Sequence, residues 1–450
     1  MNPETHNNLT DDLLRPIQET SRRFYIAVAV FSSIVLCGIA TWGYQVYNGF
    51  GVTGYRWPVF WAIHETNFVF WIGISHAGTL ISAILRIVNA TWRRPVTRCA
   101  EVITAFALMI GAMFPLIHLG RPWLAWWLIP YPSERGIWPN YRSPLVWDFF
   151  AINTYLTASL LFLFLPAIPD FALIRDRSTG WRKRIYGFLS LGWQGTPRQW
   201  HRLESAMHIM ALAIIPIAVS VHTIVSFDFS MAVVPMWHST IFGPYFVAGA
   251  IFSGIAALII VMALIRKLLR LEAYLVPLHF QNLGKLLLTM SLLWGYFVFN
   301  ERLTAWYGNE PYEMNVLQST QTGEFAPLFW TMVLCNFVIP FPLLTIRRIR
   351  GITATVVASC GVVIGMWLER YLIIVPSLSR KATSYSWGSY FPQWPELVIM
   401  AASFAAMALL YLLFSKFIPI ISIWELKVGE HPELKAAAKV QDAEATGDLV

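Results

Sequence analysis

Residues 68–86 read FVFWIGISHAGTLISAILR, an apolar run with no charged residue before Arg86. About 20 such residues, wound as a helix, cross the hydrocarbon core of a bilayer. The run therefore predicts a membrane span, with His76 near its middle and Gly73 and Gly78 where a neighbouring helix can come close.

Working outward from this stretch, ten runs of that kind appear, at 24–46, 59–86, 99–118, 145–171, 203–228, 245–266, 282–303, 326–346, 351–374 and 396–417. The whole composition agrees: of 450 residues 56% are hydrophobic and only 13% charged, and mean hydropathy is +0.54. A soluble fold of this length could not hide so much apolar surface. The 21 Trp, 17 Tyr and 30 Phe suit interfacial aromatic belts. A formal charge of +8 argues for nucleic-acid binding only if it is dispersed, and it is not. Of the 33 Lys and Arg, 24 fall in alternate connections and the termini, at Arg15, Arg86, Arg93, Arg175, Arg198, Arg266, Arg347, Lys416 and their neighbours. The positive-inside bias then predicts both termini in the cytoplasm. No basic run followed by a short apolar core opens the chain, so no cleavable signal peptide is expected and the first run reads as a retained anchor. Cys37, Cys99, Cys335 and Cys360 are too scattered for a metal–thiolate motif, and no metal site is expected.

The chain repeats itself. FVFWIGISHAG of span two and FVAGAIFSG of span six share FxxGxxxxG, matching Phe70, Gly73 and Gly78 to Phe246, Gly249 and Gly254. PLVWDFFAIN of span four and PLFWTMVLCN of span eight match Pro144, Leu145, Trp147 and Asn153 to Pro327, Leu328, Trp330 and Asn336. The fold expected is an all-α membrane protein of about ten transmembrane helices. It comprises two parallel four-helix bundles (spans 2–5 and 6–9) plus two peripheral helices. The divisions are a cytoplasmic N-terminal segment 1–23, helix 1 with its outer loop 24–58, the first bundle 59–228, the second 245–374, helix 10 at 396–417 and a cytoplasmic tail 423–450. The copies differ where it matters: Asp148 and His76 of the first correspond to Thr331 and Phe252 of the second.

That topology brings His118, Asp148 and Asp228 to the outer ends of three consecutive helices of the first bundle. Ionisable groups at membrane depth cost several kcal/mol unless paired or used. A neutral imidazole can take a proton from a phenolic hydroxyl while a carboxylate fixes its tautomer. This suits oxidation of a lipid-soluble hydroquinone. His76, Glu65, His208 and His222 are further candidates, for a proton path. Glu301, Arg302, Glu369 and Arg370 read as interfacial ion pairs. His208 and His222, 14 residues apart, have the spacing of a helix ligating two haems, but His64 and His76 are out of phase for the opposing pair, so no haem cage closes.

In FVFWIGISHAGTLISAILR, FPLIHLGRPW, SPLVWDFFAINTYL, SFDFSMAVVPMWHSTIFGPYFVAGAIFSG and NERLTAWYGNEPYE the chain resembles the NrfD/PsrC-type quinone-interacting membrane subunits. It is most similar to the larger such subunit, ActC, of bacterial alternative complex III. The resemblance spans roughly residues 55–420. It implies a subunit of the bacterial inner membrane, without haem or iron–sulfur cluster of its own, that binds and oxidises a menaquinol-type substrate at His118, Asp148 and Asp228. Implied partners are an iron–sulfur/molybdopterin-like subunit on the periplasmic side that takes the electrons, c-type haem subunits, a second NrfD-like membrane subunit and lipid. Proton translocation coupled to this chemistry is also implied, and the chain would not act alone. Thr331 and Phe252 argue against a second quinol site. The alternatives are the membrane anchor of a polysulfide or molybdopterin-type reductase and, from the internal repeat, a secondary transporter.

Overall fold

The computed structural model describes residues 3–129, 136, 141–381 and 384–430. Among them ten helices are long and apolar enough to cross a membrane. Span one is Arg22–Asn48, two Ile63–Ile87, three Thr97–His118, four Pro144–Asp176 and five Pro197–Ser230. Six is Phe242–Leu268, seven Pro277–Gly308, eight Ala326–Thr345, nine Ile352–Ser379 and ten Trp394–Phe417. The chain is thus a multi-span helical membrane protein, as its composition demanded.

Spans two to five close into one ring of neighbours and spans six to nine into another, while spans one and ten pair with each other beside spans two and three. Span two also packs on spans six and nine, so it is the shared wall of both bundles and is almost wholly buried. The FxxGxxxxG repeat explains the joint. Gly73 faces Ala250 and Ser253 of span six, and Gly254 faces Ala77 and the Ile74 carbonyl of span two. Each helix offers its small residues to the other, which replaces the missing hydrophobic drive with close van der Waals contact. Polar ties cross the same wall: Trp367 Nε1 donates to Asn67 Oδ1 at 2.9 Å.

Local chemistry moves several boundaries. Span two starts at Ile63 rather than 59, because Glu65 Oε2 accepts the Ala62 amide at 2.8 Å and closes the first turn. Span five starts at Pro197 rather than 203, set by Thr196 and Gln199, which cap each other's backbone. Span four continues to Asp176 through a tight turn at Leu165–Ala167, and span eight contains a wide turn at Leu334–Val338 before Pro340. The two interruptions do not fall at corresponding repeat positions, so they do not form the paired midplane breaks of a transporter.

The two ends differ from their expected simplicity. Pro3–Gln18 is an amphipathic helix that buries Leu9, Leu13, Leu14 and Ile17. Arg15 donates to the Leu269 carbonyl at 3.0 Å and Lys416 to that of Pro16 at 2.6 Å, so the helix straps the end of span six to that of span ten at the arginine-rich face. Beyond span ten, at the start of the expected cytoplasmic tail, Ile423–Glu430 is a short helix that returns to the first bundle. Residues 431–450 lie outside the described residues.

Candidate functional site

Four outer helix ends meet at the arginine-poor face of the first bundle. His118, the last residue of span three, places Nδ1 2.8 Å from Glu65 Oε1, an ion-pair contact. The His118 side chain stays 29% exposed, against 11% for Glu65. The other Glu65 oxygen is fixed twice, by the Ala62 amide and by the Tyr55 hydroxyl at 3.2 Å. Tyr55 in turn accepts the His64 amide at 3.0 Å. The rings of Phe50 and Tyr55 each lie 5.3 Å from that of His118, and His64 lies 6.1 Å away with neither ring nitrogen partnered. Burial, then the nearby Glu65 and the Tyr390–Glu396 pair, pushes the Tyr55 phenol well above its usual range, so it remains a donor.

Asp148 opens span four behind Ser143 and Pro144, and Asp228 closes span five. Both are buried, and their carboxyl groups lie side by side, each with one oxygen unpartnered. Among the described residues no hydrogen bond or ion pair joins this pair to His118. The carboxylate orienting His118 is therefore Glu65, where the sequence suggested Asp148. Sequence reasoning placed Glu65 in a proton path and gave Tyr55 no role. The readable signal was positional: an acid three residues after Ala62, where the amides of a helix start need an acceptor.

The proton-path candidates scatter. His76 and His222 are fully buried with ring centroids 4.4 Å apart, and Tyr155 lies 4.7 Å from His76. His76 Nδ1 is 2.7 Å from the Ile72 carbonyl, and the two rings leave no space for a porphyrin between them. His208 is exposed toward the arginine-rich end, away from both clusters. A column of hydroxyls continues from His76: Tyr155 and Thr104 both donate to the Ser75 carbonyl, at 3.2 and 2.6 Å, and Ser82 donates to buried Glu101 at 2.6 Å.

The second bundle has no equivalent arrangement among its described residues. Phe252 fills the position of His76, and Thr331 is exposed with its hydroxyl on the Pro327 carbonyl. Glu369 and Arg370, expected as interfacial, are buried and paired at 2.7 Å. Glu369 also accepts from Tyr245 at 2.5 Å and from Trp294, and Arg370 lies over the Phe246 ring. This end is a buried paired network in which Arg370 Nη2 is left without a hydrogen-bond acceptor among the described residues and faces the ring. Among the described residues no group of three His, Cys, Asp or Glu is placed to hold a metal.

A ten-span, two-bundle membrane protein with one asymmetric titratable site is the class these features define. The match is specific: residues 51–382 fit the model for polysulphide reductase NrfD, and the chain belongs to that family. It is 24% identical over 356 residues, 78% of this chain and 77% of the other, to a Halobacterium salinarum protein provisionally named as the membrane component of a dimethyl sulfoxide reductase. It is 22% identical over 432 residues, covering 91% of this chain and 96% of the relative, to a selenate reductase subunit of Mesobacillus selenatarsenatis. To the Hdr-like menaquinol oxidoreductase integral membrane subunit of Archaeoglobus fulgidus it is 20% identical over 371 residues, 80% and 81% of the two chains. All three relatives are oxidoreductase subunits by name, two of them membrane subunits.

Proposed function

We propose that this chain is the quinol-oxidising membrane subunit of a multi-subunit redox complex of the alternative complex III kind, with its reaction site at His118. The observation that carries the reading is a partly exposed imidazole whose Nδ1 is held by a carboxylate that is itself tied down by Tyr55 and Ala62. With Nδ1 2.8 Å from the Glu65 carboxylate, Nε2 is left to accept a proton from a substrate hydroxyl, and the adjacent negative charge of Glu65 stabilises the imidazolium so formed. Phe50 and Tyr55 give the apolar and ring surface against which a hydroquinone lies. Oxidation releases two protons and two electrons. His118 takes the first proton, the Asp148–Asp228 pair holds the second, and a redox centre of a partner subunit at the same face takes the electrons.

The 24-of-33 bias of Lys and Arg supports placing both termini in the cytoplasm, and the site then opens toward the periplasmic leaflet. The name of the Archaeoglobus relative supports a menaquinol-type substrate. His76, His222, Tyr155 and Glu101 are the groups through which proton translocation would run.

The test uses the intact complex. His118→Ala is expected to lower quinol turnover by roughly 10²–10⁴-fold, and Glu65→Gln to lower it less while displacing its pH profile. Full activity in both variants sinks the assignment. A second reading, the membrane anchor of a molybdopterin-type reductase, is favoured by the names of the Halobacterium and Mesobacillus relatives. The subunits that co-purify separate the two: multihaem c proteins support the first, a molybdenum-binding subunit the second.

A further inference from the structure

At the arginine-rich end of the first bundle lies a cavity of about 620 Å³ between the end of span two, the connection to span three and the first turns of span five. Its basic lining is Arg86, Arg93, Arg94, His201 and His208. Two carboxylates also line it, Glu204 and Glu425. Glu425 is fully engaged: Arg86 reaches it at 2.6 Å, Arg93 at 3.2 Å and Thr97 at 3.2 Å. Arg94 makes no ion pair with any described residue and is half-buried at the cavity wall. The quinol chemistry proposed at the opposite face has no use for this site.

Two features decide the ligand. The cavity offers cationic groups together with the neutral donors Asn89 and Ser205, the donor set of a phosphate diester. Its rim is apolar and faces the bilayer: Ile209 lines it at 64% exposure, and Leu212, one turn further along the same helix, is 51% exposed. A free phosphate or nucleotide has no need of such a rim, whereas acyl chains do. We infer that this cavity binds the headgroup of an anionic glycerophospholipid from the leaflet at the arginine-rich face, with its chains along span five. Basic pockets between spans at a membrane surface are the usual receptors for such headgroups.

The experiment uses the purified whole complex in detergent. Native mass spectrometry counts phospholipids retained, and the delipidated complex is titrated with phosphatidylglycerol, phosphatidylcholine and inorganic phosphate. The wild-type complex is expected to hold phosphatidylglycerol in preference to phosphatidylcholine. Arg94→Gln and His201→Ala each weaken it by roughly fivefold, and Arg94→Lys, which keeps the charge, retains it and shows that the site still folds. Equal retention in wild type and Arg94→Gln overturns the inference, as does no preference between the two lipids. Displacement by equimolar inorganic phosphate makes this a free-anion site instead and overturns it too. Binding that appears only after residues 431–450 are removed makes the acidic tail the occupant, and likewise overturns it.

Discussion

Glu65 serves the backbone and the proposed reaction site with different oxygens. Oε2 ends the first turn of span two, and Oε1 faces His118. Glu65→Ala should therefore damage fold and turnover together, while Glu65→Gln keeps an acceptor for Ala62 and isolates the electrostatic part. Circular dichroism melting of the intact complex, set beside turnover, distinguishes them: a Gln variant that melts with the wild type yet loses turnover is the expected result. Asp148 and Asp228 lead to a separate expectation. Adjacent carboxyls can hold one proton between them in a strong O–H···O⁻ bond. A redox-triggered infrared difference spectrum should show the carbonyl band of a protonated acid that disappears in Asp148→Asn, and an unchanged band counts against the pair as proton store. His118 was legible in the sequence because an ionisable residue closing an apolar run stands out. Its partner was not, since pairing depends on how spans two and three are rotated about their axes, and no spacing within one helix encodes that.

Among the elements, span two carries the most constraint. Its small residues were visible as a repeat, and the structure gives them more than one partner: Gly73 and Gly254 meet across the bundle interface, while Gly78 packs on Ala100 and Thr104 of span three and Gly249 on Met366 and Arg370 of span nine. A Cβ at Gly254 would run into both the Ala77 side chain and the Ile74 carbonyl. Gly254→Val should cost about 1–3 kcal/mol through overpacking and lower the melting temperature. Gly308→Ala, at a position where a Cβ meets nothing, should not. The PLxW repeat was equally legible, and its two tryptophans act alike: Trp147 and Trp330 each donate to a carbonyl just upstream of their span, those of Tyr141 and Gln321. Asn153 and Asn336 match in sequence yet not in setting, because the first faces outward and the second is buried beside Gly365. Periodicity reports which residues align, while the closing of span eight around its wide turn decides which of them face inward.

For the whole molecule, the hidden fastening is at the arginine-rich end. Arg98 and Asp170 form a fully buried pair joined to Pro166, Pro419, Ser422 and the amides of Ile423 and Trp424. Asp170→Leu should destabilise by about 3–5 kcal/mol by stranding a buried cation, and Arg98→Met with Asp170→Leu should recover much of that. A double variant no better than the single one contradicts the argument. Glu425 adds a pH dependence. Burial alone would raise its carboxyl, but Arg86 and Arg93 hold it below the usual 4.5. A lowered folded-state value means that this stabilisation is present above about pH 4.5 and is lost as pH falls below it. The melting temperature should drop with acidification in that range, and less so in Glu425→Gln. None of this was legible, since Glu425 lies beyond the last apolar run and composition marks it only as solvated.

The fastening also sets an order of events in biogenesis. Arg86 and Arg93 are made early, and the carboxylate that neutralises them, Glu425, is synthesised after the tenth helix; the Arg98–Asp170 pair gains its hydrogen bonds to residues 419–424 at the same late point. Until the ribosome has made that stretch, Arg86 and Arg93 lack their carboxylate at the base of the first four-helix ring. A chain cut after Phe417 is therefore expected to be degraded faster in the membrane than the whole chain, residues 419–425 acting as a latch made after all ten spans.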